Sequence, residues 1–134
     1  MLSSKMGNCM ETDKNTADFG DHKIAYGENV HKIVSEKQWN EKMSEAKGKK
    51  VIVNFSASWC GPCISISPFY AELSAKYPSI IFLAVDVDEL ADLSLAWDVQ
   101  ATPTFFFIQD GQKLDKHVGS DRADFEQIMM KFAN

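Results

Sequence analysis

The stretch "VIVNFSASWCGPCIS", residues 51–65, decides the fold. Val51 to Phe55 is almost continuously apolar, as in a strand of a parallel sheet covered on both faces. Directly behind it two cysteines flank a Gly-Pro pair, and a helical pattern runs from about Cys60 to Tyr77. "IIFLAV" (80–85) is a second strand of the same kind, so the middle of the chain reads as a βαβ unit. A C-x-x-C at such a strand–helix junction puts the first sulfur among the unpaired amides of a helix N-terminus, which favour thiolate over thiol. Cys60 is therefore the candidate nucleophile and Cys63, one turn deeper, the candidate resolving thiol. The alternatives are a pair of inert helix-start cysteines or half of a zinc site. Against zinc, no second cysteine pair follows and the three histidines are scattered, so no metal site is expected.

Upstream of this unit, "VHKIVS" (30–35) reads as a first strand, and Ser35 and Gln38 stand at capping-box spacing for a helix whose inner face carries Trp39, Met43 and Ala46 before Gly48. Leu90, Leu93 and Trp97 mark a short third helix. "TFFFIQDGQKLDKHVG" (104–119) predicts an antiparallel hairpin turning at Asp110-Gly111. Phe125, Ile128, Met129 and Phe132 follow helical spacing in a last helix. The expected architecture is α/β, a mixed sheet of about five strands with helices on both faces.

Composition sets the bounds. With 134 residues, 45% of them apolar, one domain with a real core is expected, at 29–134. Residues 1–28 are polar with scattered apolar residues and read as a flexible leader. Fourteen Lys and Arg against 19 Asp and Glu leave a net charge of -5 with no basic patch, so nucleic acid is not an expected partner. Three unevenly placed cysteines do not make a stapled secreted scaffold, and "MLSSKMGNCMETDKNTADFGD" (1–21) has no apolar centre for a signal peptide. The expected location is the cytoplasm.

"WCGPC" (59–63), Pro68, "ATPT" (101–104), Gly111 and "VG" (118–119) together resemble a thioredoxin over residues 30–132. "NFSASWCGPC" (54–63), "FLAVDVDEL" (82–90) and the leader with "MGNC" (6–9) further resemble the N-terminally extended h-type thioredoxins of plants. The resemblance implies the thioredoxin fold, a central mixed five-stranded sheet flanked by four helices. It implies a protein-disulfide reductase without a bound cofactor, recharged by a flavin-dependent thioredoxin reductase or by glutathione and glutaredoxin. It also implies a cis Thr102-Pro103 bond beside Cys60 and a shallow groove lined by Trp59, Gly61, Pro62, Ala101, Thr102, Pro103 and Gly119, where a substrate strand could pair. Simple core is the other reading of Trp59. Pro68 should kink the redox helix. The Gly-Pro spacer lacks the imidazole of the family's oxidising relatives, which places the expected potential toward the reducing end.

The chain departs from the family pattern at three positions. Asn54 and Ala84 stand where many thioredoxins carry a buried aspartate, the proton acceptor for the resolving thiol, and its lysine partner. An amide cannot take that proton, so Asn54 is read as a hydrogen-bonded group with ordered water handling the proton. Losing both charges together avoids an unpaired buried one. Ile64 replaces a usual basic residue. Cys9 has three readings: inert, a palmitoylation site beside a myristoylated Gly7 if translation starts at Met6, or an accessory thiol for glutathione-linked recharging. With Met1 as the start, Gly7 is internal and myristoylation is ruled out; peripheral membrane association is expected only if Gly7 or Cys9 is acylated. The functional alternative to a reductase is a redox-gated binding module or holdase with little turnover.

Overall fold

The computed structural model describes residue 24 and residues 26–134. The described residues form β1 (Val30–Ile33), α1 (Glu36–Glu45), β2 (Lys50–Ser56), α2 (Gly61–Lys76), β3 (Ile81–Asp86), α3 (Ala91–Ala96), β4 (Thr104–Gln109), β5 (Gln112–Val118) and α4 (Arg122–Ala133). Their order in the sheet is β1-β3-β2-β4-β5. The first three pair in parallel and β4 and β5 close the other side antiparallel, so this is the mixed five-stranded sheet with four helices that the residue pattern led to.

Strand alternation divides the core in two. Val51, Val53 and Phe55 of β2 meet Leu83, Val85, Phe106 and Ile108 under Trp39 of α1 and Leu93 of α3. Ile52, with Phe82, Ala84, Phe105 and Phe107, faces Ile66, Phe69, Tyr70 and Leu73 of α2 and Phe125, Met129 and Phe132 of α4. Each such buried Phe or Leu contributes about 1.5–3 kcal/mol of transfer free energy. Two residues within the stretch assigned to the leader, Ile24 and Tyr26, also pack against this core.

Local chemistry sets the boundaries. β1 stops at Ile33, two residues short of the expected strand. The Gln38 side chain accepts from the Val34 amide at 2.9 Å, while Ser35 Oγ accepts from the Gln38 amide at 3.1 Å. The cap thus takes backbone that the strand would have used. The hairpin turns at Asp110 and Gly111, both with positive φ (54° and 78°), and the Asp110 carboxylate accepts from the Gly48 amide at 2.9 Å. Register shifts between Phe107 and Ile108, whose partners are Asp115 and Lys113, leaving Leu114 as the extra residue of a bulge on the edge strand.

His117 of β5 is buried against the Phe105 and Phe125 rings, and its Nε2 has no hydrogen-bond partner. Burial lowers its pKa, against the carboxylates of Asp124 and Asp121 and a bond to the Gly119 backbone, which raise it. The unfolded chain therefore binds this proton more readily. Stability should fall as pH drops from about 6.5 toward the lower folded value and level off beneath it. We expect His117→Gln to reduce that acid-side loss in urea unfolding between pH 7.5 and 5. Parallel stability profiles for parent and variant would contradict this.

Candidate active site

β2 ends at Ser56, and a turn closed by the Cys60 amide donating to the Ala57 carbonyl at 3.1 Å delivers the chain to α2. Cys60 is the N-cap, with extended backbone (φ −89°, ψ 113°), and its Sγ accepts from the Cys63 amide at 3.3 Å. The sulfur occupies the place that a Ser, Thr or Asp oxygen usually takes at a helix start, so charge developing on it lies at the positive end of the helix dipole. Pro62 sits in the first turn, where a missing N–H leaves no helical bond unmade. Both sulfurs are fully buried.

Further along α2, Pro68 cannot donate to the Ile64 carbonyl four residues back. The Ser67 hydroxyl donates to it instead at 2.9 Å, which lets the helix run through to Lys76.

The Thr102-Pro103 bond is cis. Cys60 Sγ donates to the Thr102 carbonyl at 3.5 Å, so the turn lies directly against the N-cap sulfur. Thr104 Oγ1 donates to the Ala101 carbonyl within the turn. Gly119, at φ 107°, donates its amide to the Pro103 carbonyl at 2.9 Å, joining the end of β5 to the same place. Trp59, Gly61, Pro62, Ala101 and Gly119 are half-buried around it, while Thr102 and Pro103 are buried. Trp59 combines both of its readings: its ring packs on the core, and its Nε1 donates to the Asp88 carboxylate at 2.7 Å. A charge-assisted bond of this kind fixes the indole beside the cysteine.

A family model described as Thioredoxin matches residues 30–131. The chain belongs to the thioredoxin family. An h-type thioredoxin of Populus jackii is 49% identical over 125 residues, covering 91% of this chain and 90% of the relative. Thioredoxin H9 of Arabidopsis thaliana is 46% identical over 125 residues, covering 91% and 89%. The crystal structure of a wild-type poplar thioredoxin h superposes with a TM-score of 0.77 at 50% identity, over 80% of this chain and 98% of that one. These likenesses place the chain among the plant h-type thioredoxins, as a thiol-disulfide oxidoreductase with a paired-cysteine site.

Against that family background the pocket behind the cysteines is neutral. Asn54 is fully buried and is the register partner of Ala84, itself buried, on β3. The two family positions do face each other, with neither charge present. Asn54 Nδ2 donates to the Tyr26 hydroxyl at 3.2 Å, and that hydroxyl lies 2.8 Å from Ser56 Oγ. Asn54 Oδ1 has no hydrogen-bond partner. Asp86, the register partner of Ser56, is half-buried at the rim of the pocket, and burial raises its pKa.

Tyr26, Ser56, Asp86 and Asp88 were not singled out from the sequence. Tyr26 had a signal, the apolar island "IAYG" (24–27) in a polar stretch. Among the described residues no group of three or more His, Cys, Asp or Glu could hold a metal ion. Cys9 and Gly7 lie outside the described residues.

Asn54→Asp would restore the carboxyl without a lysine to pair with it. Desolvation should raise its folded pKa above the unfolded value of about 3.9. Relative to the parent, the variant should lose stability as pH rises from that value toward the folded pKa and level off above it, with near equality below. Denaturant unfolding from acid to neutral pH measures the difference, and a difference independent of pH would contradict it.

Proposed function

We propose that the chain reduces disulfides of target proteins through Cys60 and Cys63. The Cys60 thiolate attacks one sulfur of the target disulfide, and a Cys60–target bond forms as the second target sulfur leaves as a thiolate. Cys63 then attacks Cys60 Sγ, which closes the Cys60–Cys63 disulfide and releases the first target sulfur. The observation that carries this reading is the position of Cys60 Sγ, which caps α2 on the Cys63 amide and lies 3.5 Å from the Thr102 carbonyl of the cis turn. A target strand laid along that turn would bring its disulfide to this sulfur. Because Cys60 is fully buried, access to it is a step of its own.

Thioredoxin reductase, or glutathione with glutaredoxin, would recharge the disulfide. Cys9 is an accessory thiol in the glutathione-linked route, and acylation at Gly7 or Cys9 is the competing use of the leader. Among the described residues no helix is long and apolar enough to cross a membrane.

With Cys63→Ser, target proteins should accumulate on Cys60 as stable mixed disulfides, detectable on non-reducing gels. Equal trapping by Cys60→Ser would reverse the two roles. A chain that binds targets without turning over when a reductant is regenerated would instead be a redox-gated binding module. For Cys9→Ser, recharging by a chemical dithiol should be unchanged and glutathione-linked recharging slowed. Equal rates with both would remove Cys9 from the reaction, and intact mass from a eukaryotic host would then report any acyl chain.

A further inference from the structure

The hydroxyl of Tyr26 reaches the pocket from outside the redox motif. Residues 26 and 27 run along α2: the Tyr26 ring stands edge-on to that of Tyr70, with centroids 6.0 Å apart, and a Cβ on Gly27 would meet Ala71 Cβ at 3.8 Å. From there the phenol oxygen receives an Asn54 Nδ2 hydrogen and pairs with Ser56 Oγ. Asn54, Ser56, Ala84 and Asp86 lie on one face of the sheet, since residues paired in a parallel register point the same way and alternate residues share a face. A long side chain at 84 would have been the neighbour of residue 54. With Ala84 there, the partner of Asn54 comes from the segment before β1.

We propose that Tyr26 is a positioning residue for the resolving step: with Ser56 it fixes the Asn54 amide, and this neutral trio stands in for a carboxylate–lysine pair beside Cys63. Burial pushes the Tyr26 pKa well above the ordinary phenol value, and the negative charge that Cys63 would carry raises it further, more than Asp86 or Cys60 does. The phenol is thus neutral. Held by Tyr26 through one Nδ2 hydrogen, the amide keeps Oδ1, which is buried and without a partner, available to accept from the thiol side.

In the resolving step the Cys63 sulfur forms its bond to Cys60 Sγ, the Cys60–target bond breaks, and the electron pair leaves on the target sulfur. The proton lost by Cys63 ends on that departing thiolate. None of the trio is ionised or consumed. The amide orients the proton and the phenol orients the amide.

This inference rests on Cys63 being the resolving thiol. The test follows one full-length protein through both half-reactions with a fluorescent disulfide-containing target, recording the rate of Cys60 attack and the rate of mixed-disulfide resolution, together with denaturant stability. Tyr26→Phe should slow resolution by roughly threefold to tenfold, the size of one buried hydrogen bond, and leave attack within about twofold. Ser56→Ala should act in the same direction. In an Asn54→Leu background, Tyr26→Phe should add no further slowing of resolution. A purely structural tyrosine would lower stability and leave the ratio of the two rates where it was. That unchanged ratio in both single variants, or a full effect of Tyr26→Phe without Asn54, overturns the proposal while leaving the redox reading intact. A parent that forms no Cys60 adduct overturns both.

Discussion

A sulfur in the N-cap position of α2 is the contact around which the site is arranged. Cys60 Sγ takes the Cys63 amide, and the cis turn at Thr102-Pro103 is placed against the same atom. That placement needs β2 and β3 parallel and adjacent, so that the crossover helix starts at the end of β2, and β4 antiparallel on the other side, so that the turn entering β4 reaches the same end of the sheet. The aromatic packing on both faces of β2 holds these three elements in register. The chemistry therefore depends on long-range sheet order as much as on the four residues of the motif.

The pocket around Asn54 holds neither the carboxylate nor the lysine that many thioredoxins carry at these two positions. Keeping only one member of a buried ion pair would leave a charge whose desolvation costs several kcal/mol. Asn54 and Ala84 avoid that cost, and Tyr26, itself paired with Ser56, accepts one hydrogen of the amide that remains. Asp86, the register partner of Ser56, is half-buried, and two backbone amides of the following turn, Asp88 and Glu89, donate to it.

Much of this was legible in the residues, for physical reasons that differ by element. The nearly all-apolar runs at 51–55 and 80–85 read as strands covered on both sides, and Asp110-Gly111 supplies the positive φ angles of a tight hairpin turn. Cys60 and Cys63 were visible because their spacing and their place after a strand are both local. What stayed hidden depends on contacts far apart in the chain: Trp59 with Asp88, and Tyr26 with Asn54 twenty-eight positions on. The bulge at Leu114 arises from sheet registry, which no local pattern encodes. The shortened β1 is an intermediate case: the spacing of Ser35 and Gln38 signals the cap, but nothing local signals the claim of Gln38 on the Val34 amide.

The central claim is that a helix-capping sulfur followed by Gly61 and Pro62, with no imidazole between the cysteines, makes the pair a reductant. The most direct measurement is the equilibrium potential of the Cys60–Cys63 couple in glutathione redox buffers at neutral pH, read by alkylation and mass. The expected value is close to the one known for thioredoxin itself, about −270 mV, and below the glutaredoxin range of about −200 to −230 mV. A potential of about −180 mV or higher, in the range of a disulfide isomerase, would contradict it.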